Sequence, residues 1–156
     1  MQMLAMLLAA EVLVTCTVDG KPWKAGTEGG AIGQPAVAAM SRQLGITLRE
    51  QGKPRPSLQI SAPADSVSGK SGVTVKESDG LSVTWTGEGT APKPFFVKTG
   101  TFNLAKHDAA RGTLDATLEA TLHEGFLPKA GAPELKLSCT FKSLPVRVQQ
   151  PDGTYK

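Results

Sequence analysis

From residue 12 the chain alternates without a break. Val12, Val14, Cys16 and Val18 fall on one face and Leu13, Thr15, Thr17 and Asp19 on the other, ahead of the pair Asp19-Gly20. A period of two predicts a strand with one buried face, and Asp-Gly predicts a tight turn after it. The pattern returns at Leu44, Ile46 and Leu48, at Leu58 and Ile60, at Val73 and Val75, and at Leu81, Val83 and Trp85 after the turn Asp79-Gly80. Residues 95–104 read as extended, with Gly100 a candidate bulge.

Residues 112–125 fit two templates. Leu114, Leu118 and Leu122 recur every four residues, as on a helix; with Ala116 and Ala120 they also alternate strictly against Thr113, Asp115, Thr117, Glu119, Thr121 and His123. The threonines favour the strand, because β-branched side chains lose freedom in a helix and fit a pleated surface. A last strand turns Leu135, Leu137, Cys139 and Phe141 inward. Its phase then slips to Leu144, Val146 and Val148, which predicts a bulge near Ser143 and Pro145.

The connections are less definite. Residues 26–33 read as a glycine-rich loop and 53–56, Lys-Pro-Arg-Pro, as an extended connector. Residues 35–44 fit either a short helix opened by Pro35 or the approach to a strand. Seven or eight strands with at most one short helix predict an all-β fold, an antiparallel β-sandwich or small barrel. One β domain over residues 12–150 is expected, with an apolar segment at 1–11 and a tail at 151–156.

The segment MQMLAMLLAAEVLVT is the most apolar of the chain, through Leu4, Leu7, Leu8 and Leu13 among others. No Lys or Arg precedes its apolar run, Glu11 interrupts it, and it falls short of the roughly 20 residues that span a bilayer as a helix. Two readings stay open: a shortened export signal, or an assembly element that packs into a neighbour.

Composition adds little chemistry. The 156 residues suit one domain, and 17 glycines and 11 prolines with few aromatics suit short strands and many turns. A net charge of +3, spread along the chain with no block of like charges, does not point to nucleic acid. Gly69-Lys70-Ser71 looks like the end of a phosphate-binding loop. That motif, however, needs a strand before it and a helix after it, and here Gly72 and the strand pattern Val73-Thr74-Val75 follow; no nucleotide or other cofactor is expected. His107, placed in a turn, and His123, on a polar face, read as solvated side chains rather than metal ligands. Asp115 and Glu119, roughly 13 Å apart along one strand, are too far apart for a carboxylate pair and read as solvated edge charges.

Cys16 and Cys139 lie on the apolar faces of strands near the two ends of the chain. They form either a disulfide, which would place the protein in an oxidising compartment, or two buried free thiols. Trp85 reads as core. Trp23, next to Pro22, is divided between core packing and a stacking surface.

The run Val-Thr-Cys-Thr-Val-Asp-Gly-Lys-Pro-Trp-Lys-Ala at residues 14–25, with Thr-Gly-Thr-Phe-Asn at 99–103 and Leu-Ser-Cys-Thr-Phe at 137–141, resembles small bacterial secreted proteins and lipoproteins of uncharacterised function. These carry a "DGKPW" turn after the first strand of a β-sandwich. The resemblance implies a periplasmic or extracellular protein and carries no catalytic residue. The expected function is a non-enzymatic binding module, an inhibitor of a foreign enzyme being one form of it. It would engage a protein partner through the loops at 21–33 and 52–56, with Trp23, Lys24, Lys53 and Arg55 as binding residues. The alternative is a structural subunit of an appendage or virion that self-associates through Leu4, Leu7, Leu8 and Leu13.

Overall fold

A computed structural model describes residues 13–26, 30–33, 42–88, 92–127 and 129–156. Ten strands run through them: β1 (Leu13–Val18), β2 (Lys21–Trp23), β3 (Gly30–Gly33), β4 (Gln43–Arg49), β5 (Ser57–Pro63), β6 (Ser71–Lys76), β7 (Ser82–Thr86), β8 (Pro94–Asp108), β9 (Thr113–Glu124) and β10 (Glu134–Val148). Strands β3, β4, β5, β7, β8, β9 and β10 close a ring, and β1, β2 and β6 extend the sheet outside it. The all-β barrel expected from the alternation is present. Every pairing is antiparallel except that of β3 with β10.

The long strands make the frame. β9 lies between β8 and β10 along nearly its whole length, so Leu114, Ala116, Leu118, Ala120 and Leu122 are buried and the strand reading of 112–125 holds. They meet Phe102, Phe141, Ile46, Leu48, Leu58 and Leu144, all essentially inaccessible to water, inside the ring. With β9 in the middle, Asp115 and Glu119 are not edge charges. Glu119 accepts the Ser138 hydroxyl at 2.6 Å, and Asp115 accepts the Ser143 backbone N–H at 2.7 Å. That second bond holds the bulge expected at Ser143: the β9–β10 register shifts between Phe141 and Leu144, and Ser143 has φ 53°. At Asp19-Gly20 both residues have positive φ, as a two-residue turn matching the twist of a hairpin requires.

Several connections differ from their sequence reading. Part of the supposed loop before Gly33 is strand β3. Its glycines are there for closeness: a Cβ on Gly30 would lie 3.1 Å from Ile46, and one on Gly33 2.6 Å from the Tyr155 hydroxyl. Residues 53–56 are not extended but close a compact loop between β4 and β5, with Lys53 N–H donating to Glu50 O at 2.9 Å, Glu50 N–H to Pro56 O at 3.0 Å, and a cis Arg55-Pro56 bond. Gly100 is not itself the bulge. The register slips beside it at Lys98 and again at Ala105, and a Gly100 Cβ would press within 3.2 Å of Val97. The Gly-Lys-Ser segment joins β5 to β6, which are not paired with each other, through a single helical turn at Ala64–Val67. The tail folds back, Val148 and Lys156 exchanging two backbone hydrogen bonds.

The β1–β10 register places Cys16 directly opposite Cys139, with Cα atoms 4.1 Å apart, and the two are joined in a disulfide with both side chains buried. The bond closes 123 residues of chain. Constraining so long a loop in the unfolded state is worth about 4–5 kcal/mol in the chain-entropy account, with observed losses on removal of about 2–5. The double variant Cys16→Ala/Cys139→Ala is therefore expected to lower the free energy of unfolding by about 2–5 kcal/mol in urea titration.

Candidate functional site

The antiparallel frame sends alternate connections to one end of the barrel. The chain after β2, the β4–β5 loop, the chain between β7 and β8, and the β9–β10 connection all emerge there. The two loops singled out in the sequence do come together. Ala25 bridges to Glu50, Gly26 N–H donates to Arg49 O at 2.7 Å, and Gln51 N–H donates to Lys24 O at 3.0 Å. A shallow concavity of about 530 Å³ lies between them, walled by Gly26, Arg49, Glu50, Lys53 and Pro54 among others.

Ion pairs tie the neighbouring loops. Lys53 meets Glu50 at 3.2 Å and Glu88 at 3.9 Å, and Lys93 meets Glu124 at 3.5 Å. The hydrogen bond and charge of Glu50, helped by Glu88, hold the Lys53 ammonium above its ordinary pKa. Beside the β9–β10 connection, Lys98 donates to Glu134 at 2.6 Å and pulls that carboxyl below its ordinary range. Exposed pairs of this kind contribute little to stability and serve here to set loop positions.

Of the expected binding residues, Lys24, Lys53 and Arg55 are exposed at this end. Trp23 is a correction. It is buried, with its ring centroid 4.8 Å from that of Trp85 in an edge-on contact, so it is part of the floor under the loops and offers no stacking face. The change of side comes from the β1–β2 pairing: Trp23 stands opposite the inward Cys16 and shares its face. Leu13 is half exposed, whereas Leu4, Leu7 and Leu8 lie outside the described residues.

Sequence reasoning missed the most conspicuous group at this end. Phe126 and Leu127, at the tip that follows β9, are 79% and 83% exposed, Phe126 resting edge-on against Phe96 at 5.7 Å. The available signal was Gly-Phe-Leu-Pro in a turn: two large apolar side chains where strand alternation has stopped and nothing buries them.

His107 was also misplaced. The extra residue at Ala105 reverses the alternation of β8, so the imidazole turns inward and is 6% exposed instead of solvated. Its Nδ1 accepts the Gly69 N–H at 2.7 Å, and the backbone N–H of His107 donates to Lys70 O at 2.8 Å. The Gly69 and Lys70 amides of the Gly-Lys-Ser segment are thus both engaged within the protein, Lys70 N–H donating to Val67 O. No three His, Cys, Asp or Glu side chains converge as a metal site among the described residues, and no helix there is long and apolar enough to cross a membrane.

No known protein family, curated protein or solved structure matches this chain.

Burial holds the His107 pKa below its ordinary value, Asp108 acting weakly the other way, and a protonated Nδ1 can no longer accept the Gly69 N–H. The fold therefore favours the neutral ring. Its contribution to stability is complete above the unfolded value of about 6.5 and is lost as the pH falls below it. The urea midpoint should drop between about pH 8 and about pH 5 by more in the wild type than in His107→Gln. An equal drop in both would refute the assignment.

Proposed function

We propose that this protein is a non-catalytic binding module that engages a protein partner through the loop end of its barrel. What carries the reading is the adjacent pair Phe126 and Leu127, held out at 79% and 83% exposure on a hairpin whose base is pinned by Gly125 N–H to Pro94 O at 3.0 Å. Two neighbouring large apolar side chains on a braced support are what an interface anchor requires, and loops on a rigid sheet are where binding groups usually sit. Lys24, Lys53 and Arg55 supply a basic rim to the same end. An exported, periplasmic or extracellular setting is supported by the buried Cys16–Cys139 disulfide and by the resemblance to small secreted proteins.

The test is site-specific photo-crosslinking in the native source, with a benzoylphenylalanine in place of Phe126 and, as control, in place of Lys76 on β6. A discrete protein adduct is expected from position 126, weakened by adding Lys53→Glu. Identical patterns from both positions would sink the reading.

One observation favours a second reading, a subunit of a homo-oligomeric virion or cell-surface assembly. Only residues 16–18 of β1 are covered by β2, so residues 13–15 carry β10 alone among the described strands, with Leu13 half exposed at the point where the apolar segment 1–11 joins. An edge of this kind accepts a further strand. Deleting residues 1–10 should then leave the barrel's circular dichroism unchanged and abolish assembly measured by light scattering; assembly that survives the deletion counts against it.

A further inference from the structure

Among the described residues His107 is the one buried residue that can carry a charge, and its ring is only half satisfied. Nδ1 accepts the Gly69 N–H, so the neutral ring carries its proton on Nε2, which is buried without a hydrogen-bond partner. A second proton has to go to Nδ1. There it breaks the bond to Gly69, adds another buried N–H without an acceptor and puts a charge into the interior.

The segment that His107 holds is lightly attached. The helical turn at Ala64–Val67 lies against β4, β5 and β6 and buries Ala64 and Val67. Its backbone bonds from Ser68 N–H to Ala64 O and from Lys70 N–H to Val67 O stay within the segment. One end is tied where Ala64 N–H donates to Arg42 O at 2.9 Å. The other is tied to β8 by two bonds, Gly69 N–H to the ring and His107 N–H to Lys70 O. Gly69 and Gly72, with φ of 67° and 66°, flank that second tie, and a Cβ on either would meet nothing within 4 Å. Residues so placed can absorb the backbone rotation of a hinge.

We propose that residues 65–72 are an acid-released flap: when the interior ring takes a proton, the segment lifts from β8 about its tie at Ala64, uncovering Val67 while the barrel stays folded. Asp108 is the charged group that acts on the ring, and it is already shared with Lys106 at 3.6 Å and Arg111 at 3.9 Å. From β9 the residue opposite is Leu114, backed on β10 by Leu144, both buried and uncharged; the neighbouring Asp115 bonds the Ser143 N–H instead. Asp65 and Lys70, on the flap itself, are exposed. Burial outweighs the pull of Asp108, so a charged ring is better hydrated than enclosed, and the proton is taken up as the segment opens. The flap lies away from the loop end and leaves the docking surface proposed there untouched.

Amide hydrogen exchange of the full-length chain, followed by NMR between about pH 7 and about pH 5 and corrected for the intrinsic rate at each pH, tests this. The Gly69 and His107 amides are expected to exchange faster as the pH falls below about 6.5, by up to about tenfold per pH unit, since each opening binds one proton. Added urea should hardly change them, because a local opening exposes little surface. The Gly26 and Gly125 amides, bonded at the loop end, should not follow the pH. In His107→Gln the acceleration should vanish. Exchange at Gly69 and His107 that follows urea in step with Phe102 and Leu118 means that the segment opens only with the whole barrel, and overturns the flap. A flat pH profile in the wild type overturns it too, as does an acceleration that persists in His107→Gln. Should that variant not fold, the urea and pH dependence of the wild type decide between flap and barrel.

Discussion

A strand has two edges, and β10 must serve three neighbours. Along one edge it pairs with β9 from Glu134 to Pro145; the other is divided, residues 137–142 taking β1 and 146–148 taking β3. The division falls at the bulge around Ser143, where the Asp115 carboxylate holds the extra residue. Before the bulge β10 belongs to a broad antiparallel sheet that runs on to the disulfide and β2. After it, β10 turns to accept β3 in parallel and closes the ring. β8 divides in the same way, between β7 at residues 94–96 and β6 at 101–106. The molecule is therefore both sandwich and barrel, two sheets joined at two corners by long strands that change partners at bulges.

This frame separates the surfaces that matter for binding. The loop end is braced by short backbone bonds and by lysine–glutamate pairs, and its aromatic floor, Trp23 on Trp85, is closed to solvent. Among the described residues of these loops, the tip beyond Gly125 departs from the usual polarity of a loop, presenting apolar side chains on a braced support. At the other end His107 bonds the Gly69 amide from inside, so the helical turn and β6 are attached to β8 through an imidazole that burial keeps neutral to lower pH than an exposed one.

What was legible in the sequence were the elements whose register is dictated by burial. Strict alternation fixed β1, β4, β5, β7, β9 and β10, and the phase slip near Ser143 announced its bulge, because a one-residue shift would turn every apolar side chain to water. The paired cysteines were legible only as two inward positions. The errors share a cause. Gly30 and Gly33 resembled loop glycines although they are glycine because Ile46 and Tyr155 press against them; His107 was assigned to a turn because the bulge at Ala105 leaves no mark in composition; Trp23 was divided between core and surface because its face depends on which strand lies opposite.

By itself the sequence determined the local periods, the turn at Asp19-Gly20 and hence an all-β chain, since alternation and positive φ are properties of neighbouring residues. Only the tertiary structure decided which strands pair, that Cys16 meets Cys139, that the loops at 24–26 and 50–56 come together, that Phe126 and Leu127 stand exposed, and that register shifts flank Ala116 on both sides. These are contacts between segments tens of residues apart. Their free energy depends on shape and register in three dimensions, which no window along the chain contains.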